Sequence, residues 1–232
     1  METASLPPLK VIQAVAGTFH HFDLARELDS YGCLKSIYST FPWIRLKREG
    51  VPRAKVHTFP WIHGPIMAVS RYTAIPRGIS TPLHLANARL FDSWVASQIE
   101  ECDVFVGISG FGLKTGRLVQ RRGGKYVCDR GSSHIRVQAR ILHEEHARWG
   151  LKGRPVHPSS IIREETEYAQ ADAITVPSEF ARRSFIEMGI DPAKVTKIPY
   201  GVRLDRFSKT SDPPPDSFDV LFAGNVTLQK GV

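Results

Sequence analysis

Short apolar runs alternate with amphipathic stretches along most of the chain. Leu9 to Val15 reads as a buried strand that meets Gly17, and His20 to Gly32 follows with helical spacing through Phe22, Leu24, Ala25 and Leu28. Cys33 to Ser39 and Lys55 to Phe59, bounded by Pro42, Pro52 and Pro60, read as the next two strands. Leu83 to Glu100, with Leu90, Val95 and Ile99 among polar neighbours, predicts a helix long enough to cross one face of a sheet. Asp103 to Ile108 is a strand running into a glycine-rich turn, Leu113 to Arg122 a short basic helix, and Lys125 to Asp129 a further strand.

The alternation continues with helical stretches ending at Trp149 and spanning Pro158 to Ala171, then a strand at Ala173 to Ser178. Ser178 is a good N-cap for the helix Glu179 to Met188, which Gly189 closes. Six or seven strands alternating with helices predict an α/β fold: a doubly wound, mostly parallel, Rossmann-like sheet. The proline-dense stretch 209–217 suits neither helix nor strand, and Phe218 to Gly224 reads as a new strand. A domain at 1–208, a linker at 209–217 and the start of a second domain at 218–232 are therefore expected, as in a chain truncated from something longer.

Composition leaves this picture in place and narrows the partners. The 232 residues are 42% hydrophobic and 23% charged, ordinary values for a globular chain. Their longest apolar runs are too short to span a bilayer, and the first ten residues hold no secretory signal, so a cytosolic address is expected. Three cysteines without a C-x-x-C pair read as reduced thiols rather than a disulfide framework. A net charge of +8 favours an anionic partner such as a phosphate, a nucleotide or an acidic membrane face. Two basic groups, Arg45, Lys47, Arg48, Arg53 and Lys55, then Arg117, Arg121, Arg122 and Lys125, lack interleaved stacking aromatics, so nucleic acid is not the expected partner.

Several motifs carry candidate chemistry. Gly17 sits between a strand and a helix N-terminus, where free N–H groups and the helix dipole favour an anion, with His20 and His21 at the rim. One glycine does not make G-x-G-x-x-G, and Gly107 to Gly112 has the wrong spacing for that fingerprint, so no nicotinamide cofactor is expected. Phe111 stands where a nucleophile elbow around Ser109 would need glycine, which leaves a hydrolase as an outside reading. His143 and His146 do not match H-E-x-x-H and read as a solvated helix face, and Glu164, Glu165 and Glu167 read as mostly surface with one glutamate facing inward.

Three stretches together resemble the family 4 glycosyltransferases of the GT-B fold, in which two Rossmann-like domains face each other across a cleft. Ala171 to Phe207, with V-P-S, a helix and I-P-Y-G-V, is similar to the segment closing that family's N-terminal domain. Leu221 to Val232 is similar to the strand and phosphate loop opening its donor domain, and Asp129 to His134 with the Gly17 turn resembles one bacterial branch.

The resemblance implies transfer of a sugar from a nucleotide-sugar donor to a glycan or lipid-linked acceptor, with retention and without a bound metal or other cofactor. It implies a cytoplasmic enzyme with peripheral contact to the inner membrane face. Lys230 would offset charge on the departing diphosphate, helped by Arg130; Gly17, His20, His21, Asp129, His134, Ser178 and Asn225 would contact substrate. Asn225 and Gln229 stand where many relatives carry arginine, and the family's paired glutamates would lie beyond Val232. This stretch alone is thus not expected to be a competent transferase; the rival reading is a non-catalytic basic module for an anionic glycan, lipid or partner.

Overall fold

The computed structural model describes residues 9–65, 77–201, 204, 207–212, 216, 218, 220–224 and 227–230. Its strands are β1 (Val11–Val15), β2 (Leu34–Ser39), β3 (Val56–Thr58), β4 (Val104–Ile108), β5 (Lys125–Asp129), β6 (Ala173–Val176) and β7 (Val195–Lys197). They form one seven-stranded sheet in the order β3-β2-β1-β4-β5-β6-β7, and every pairing is parallel. The helices are α1 (His21–Ser30), α2 (Trp43–Leu46), α3 (Arg77–Gln98), α4 (Leu113–Arg121), α5 (Ile135–Arg148), α6 (Pro158–Gln170) and α7 (Glu179–Glu187). This is the doubly wound Rossmann-like sheet that the sequence predicts, with β7 as the strand least visible in the pattern.

Strand order reverses at β1, so the crossovers wind onto opposite faces. One core packs Phe22 and Ala25 of α1 with Val15, Leu34, Ile37 and Val56. The other gathers α3, α4, α6 and α7 over Ile12, Phe105, Tyr126, Cys128 and Ile174. Burial on both faces explains why β1 is apolar at nearly every position rather than alternating.

Helix α3 corrects the expected apolar stripe. Leu90 is exposed, and the buried face runs Ala88, Phe91, Val95 and Ile99, which keeps a spacing of three to four residues but starts elsewhere on the helix. The described residues of 218–224 carry no strand and are exposed. An apolar segment with no neighbouring strand has nothing to pair its backbone with. Among the described residues no helix is long and apolar enough to cross a membrane.

Candidate functional site

All parallel strands deliver their C-terminal ends to one edge, and the loops after β1, β4, β5, β6 and β7 meet there. Gly17 shapes the first of them. Its φ of +78° is a left-handed conformation open to glycine, and a Cβ would lie 3.2 Å from the Phe41 ring. Its N–H donates to Thr40 Oγ1 at 2.9 Å and its carbonyl accepts from the Ser39 hydroxyl at 2.5 Å. Gly17 therefore clamps the turn onto the end of β2, and its backbone groups are already engaged, contrary to the expectation of a free anion donor. Phe19, the one non-glycine residue with positive φ among the described residues, then swings its ring outward against His20 and Tyr200.

His20 and His21 follow at the start of α1, where His20 makes no side-chain cap bond. Both turn toward Asp129, the last residue of β5: His20 Nε2 lies 2.8 Å and His21 Nε2 3.7 Å from Asp129 Oδ2. Thr175 Oγ1 of β6 donates to the other oxygen, Oδ1, at 2.6 Å and so fixes the carboxylate's orientation. Burial alone would raise the Asp129 pKa, but His20, His21 and Thr175 more than offset it and hold it below the ordinary value. His21 is fully buried, and burial pulls its pKa down to about 4, so its ring is neutral near pH 7. Both His21 nitrogens and His20 Nδ1 have no hydrogen-bond partner. Each buried group left in that state costs about 1–3 kcal/mol.

Beside this cluster lies a hollow of about 410 Å³ rimmed by His20, Leu24, Glu27, Asp129, Thr175 and Tyr200. Gly131 packs against the rings of Phe19 and Tyr200. A Cβ there would fall 2.6 Å from the Phe19 ring and 2.7 Å from the Tyr200 hydroxyl, so only a residue without a side chain lets the two rings close in. Tyr200 is neutral, its phenol pushed up to about 12 chiefly by burial.

Arg130 points into a second hollow, of about 440 Å³, lined by His84, Ser109, Phe111, Gln138, Ser160 and Glu164 among others. Its guanidinium lies 2.8 Å from Glu164 and donates to Ser133 O at 3.1 Å and Gln138 at 2.5 Å. Glu164 also accepts from the Ser109 and Tyr168 hydroxyls. Next to it Glu167 accepts the Gly110 and Gly112 N–H groups, the latter at 3.2 Å, and Asp92 accepts Lys114 N at 2.8 Å and Thr115 N at 3.0 Å. Arg163 links them, 2.9 Å from Asp92, 3.7 Å from Glu167 and donating to Gly110 O. Burial raises the Glu167 pKa to about 8 against the pull of Arg163. The loop after β4 is thus held on all sides, and two glutamates of α6 face inward where the sequence suggests a mostly surface cluster. Ser109 is bound to a carboxylate rather than a histidine, which is not the arrangement of an activated nucleophile.

His134 is corrected from a substrate contact to a buried helix cap. Its Nδ1 accepts from Arg136 N at 3.2 Å, its own N–H donates to Ser184 Oγ at 2.8 Å, and its ring packs on Tyr168 and Phe185. Burial lowers its pKa to about 4. Ser178 caps α7 by accepting from Ala181 N at 3.2 Å. Lys230 is exposed in a short turn, Leu228–Lys230, that rests against α5, and Asn225 lies outside the described residues. His143 is exposed while His146 is buried, so the pair does not converge. The basic groups are partly tied down, Arg45 over Phe41, Arg53 over Trp43, Lys55 to Asp29 and Lys125 to Asp172.

The site thus joins His20, His21, Asp129 and Arg130 of the residues expected from sequence, and adds Thr175, Tyr200, Glu164 and Glu167. Tyr200 stands within I-P-Y-G-V, so the motif marks its place; Thr175 and the glutamates become visible only through strand order.

Residues 130–206 match Glycosyltransferase Family 4. That segment carries the loops after β5, β6 and β7. Among solved structures the chain is similar to Arabidopsis thaliana UGT89C1, at a TM-score of 0.52 and 14% identity over 90% of this chain and 53% of that one. It is equally similar to TcCGT1 in complex with UDP, at a TM-score of 0.52 and 10% identity, covering 90% and 54% of the two chains. A UDP-N-acetylglucosamine 2-epimerase follows at 0.51 and 10% identity, covering 82% and 48%. The chain spans about half the length of the solved structures it matches. Comparison with curated proteins returned no match. The family match and the fold agree with a glycosyltransferase of the GT-B type, the resemblance carried by the sequence motifs.

Proposed function

We propose that this chain is the acceptor-side half of a glycosyltransferase that moves a sugar from a nucleotide-sugar donor to a glycan or lipid-linked acceptor. The observation that carries this reading is the family match at 130–206, which falls on the loops rimming both hollows. The sugar is transferred with retention, and the leaving diphosphate is met by cations rather than by a metal. Lys230 supplies one positive charge as the glycosidic bond breaks, and Arg130 the other; fixed charges aimed at developing charge are the largest common source of rate. Arg130 reaches the diphosphate from a guanidinium already oriented by Glu164 and Gln138, so little reorganisation accompanies the reaction.

His20, His21, Asp129 and Tyr200 lie on the acceptor side. The rings of Phe19 and Tyr200 offer flat apolar surfaces for the C–H face of a sugar. Residues 1–208 form the acceptor domain, 209–217 a linker, and 218–232 the opening of a donor-binding domain. The enzyme works in the cytoplasm, in peripheral contact with the inner membrane face.

The test is turnover by the protein from its complete reading frame against a panel of nucleotide sugars, with and without chelator, and the anomeric configuration of the product read by NMR. Transfer with retention that persists in chelator is expected, together with a strong fall in turnover for Lys230→Ala and Arg130→Ala in protein that remains folded. Donor binding without transfer to any acceptor would favour a non-catalytic anion-binding module instead.

A further inference from the structure

We infer that His20, His21 and Asp129 form a binding site for a divalent transition metal of the zinc class, with one coordination position left open toward the hollow beside Tyr200. The inference goes beyond the proposed sugar transfer and does not depend on it.

The three side chains each present a ligand atom, and these atoms all lie within 4.8 Å of one another. Zinc holds nitrogen and oxygen ligands at roughly 2.0–2.2 Å, which in a tetrahedron sets ligand atoms roughly 3.4 Å apart. The two measured separations from Asp129 Oδ2, 2.8 Å to His20 Nε2 and 3.7 Å to His21 Nε2, fall on either side of that value. Small side-chain adjustments bring all three onto one ion.

A second observation, independent of spacing, points the same way. The His21 ring is 0% exposed, yet neither nitrogen has a hydrogen-bond partner, and Asp129 Oδ2 beside it is met by His20 Nε2 at 2.8 Å. Fully buried polar atoms normally find partners, so a buried ring with two unpartnered nitrogens beside a carboxylate is short of one. The remaining carboxylate oxygen is held by Thr175, which orients Oδ2 as an outer partner orients a metal ligand.

Donor chemistry selects the ion. Two imidazoles and one carboxylate make the three-ligand set of open zinc sites, whereas magnesium and calcium take oxygen ligands. His20 and Asp129 also line the hollow, so the open position faces space where a ligand fits.

The experiment uses metal-free protein titrated with zinc alone by calorimetry, and with cobalt as a spectroscopic probe. One zinc per chain is expected, as is a cobalt complex with the intense visible bands of low-coordinate geometry. His20→Ala and Asp129→Asn, each checked for native circular dichroism, should each weaken zinc binding by more than the roughly 10–100-fold typical of losing an outer partner, and Thr175→Ala by an amount within that range. His143→Ala, on an exposed helix position, should bind as the parent does. Absence of stoichiometric zinc uptake by folded parent protein, uptake unchanged in both His20→Ala and Asp129→Asn, or a preference for magnesium would overturn the assignment. His21→Ala removes a buried ring and risks the fold, so His20→Ala and Asp129→Asn are the variants that decide. Zinc uptake is read without any sugar substrate, so its failure and that of the transferase reading are separable.

Discussion

The loops after β1 and β4 sit side by side where the winding of the sheet reverses, and they treat their buried polar groups in opposite ways. Around the β4 loop the buried carboxylates are answered, and the Tyr126 hydroxyl beside Gly112 is left without a partner: Glu167 takes two backbone N–H groups, Asp92 caps α4 from α3, Glu164 takes two hydroxyls, and Arg163 joins two of these carboxylates. Around the β1 turn Gly17 is equally well held, but at the start of α1 the network stops, with both His21 nitrogens unpartnered. A satisfied buried network specifies shape; an unsatisfied one holds binding capacity at a cost in stability. The β4 loop is scaffold, and the β1 turn is the place to look for a ligand.

That contrast breaks most visibly at Glu167. Glu167→Ala strips the acceptor from Gly110 and Gly112 and leaves a cavity beneath the loop, so a loss of about 3–5 kcal/mol is expected from urea denaturation. A loss under about 1 kcal/mol would mean that the loop stands without its carboxylate clasp.

The next test is the pH dependence. His21 and His134 both have folded pKa values of about 4 against an ordinary 6.5, so the unfolded chain binds more protons between these values. Their contribution is complete above about pH 6.5 and is lost as pH falls toward 4. Glu167 acts with the opposite sign, because its folded pKa of about 8 lies above the ordinary 4.5. Its contribution is complete at low pH and declines as pH rises from about 4.5 to 8. His134→Asn keeps an N-cap acceptor and removes one histidine titration, so the rise of stability with pH between about 4 and 6.5 should become distinctly shallower. Glu167→Gln should instead flatten the decline toward pH 8. A wild-type acid-side slope in His134→Asn would place its ring in water.

A smaller effect is expected at Ser109. Its hydroxyl donates to Glu164, which keeps Arg130 and Tyr168 as partners, so Ser109→Ala should lose about 1 kcal/mol. Covalent labelling of Ser109 by an acyl-directed probe would contradict the scaffold role and restore the hydrolase reading.

The fold is legible in the sequence because its signals are local: apolar runs for buried strands, glycine and proline punctuation between them, and the Ser178 cap before α7. The buried face of α3 is not, because Phe91 and Leu90 are adjacent and equally apolar, and only the packing partners decide which turns inward. The site is legible in pieces. His20 and His21 stand out at a helix start and Asp129 at a strand end, but nothing in their 108-residue separation says that β1 and β5 flank the same strand. Without that juxtaposition the three side chains do not suggest a metal. Glu164 and Glu167 are obscured differently, since a charged helix reads as surface unless the N–H groups awaiting it are known. His134 is ambiguous because cap and ligand draw on the same residue types.

The sharpest comparison is also the smallest in energy. Replacing a side chain whose polar atoms are satisfied removes stability, whereas replacing one whose polar atoms have no partner with an apolar group of similar shape is nearly neutral or stabilising. His21→Phe, measured in metal-free buffer, should therefore change stability by no more than about 1 kcal/mol and in the favourable direction. The phenyl ring is somewhat larger than imidazole, and the small clash this introduces works against the gain, which is why it stays modest. If His21→Phe is instead destabilised by about 3 kcal/mol or more in metal-free buffer, the His21 nitrogens have a partner in solution, and the β1 turn is a closed network like its neighbour.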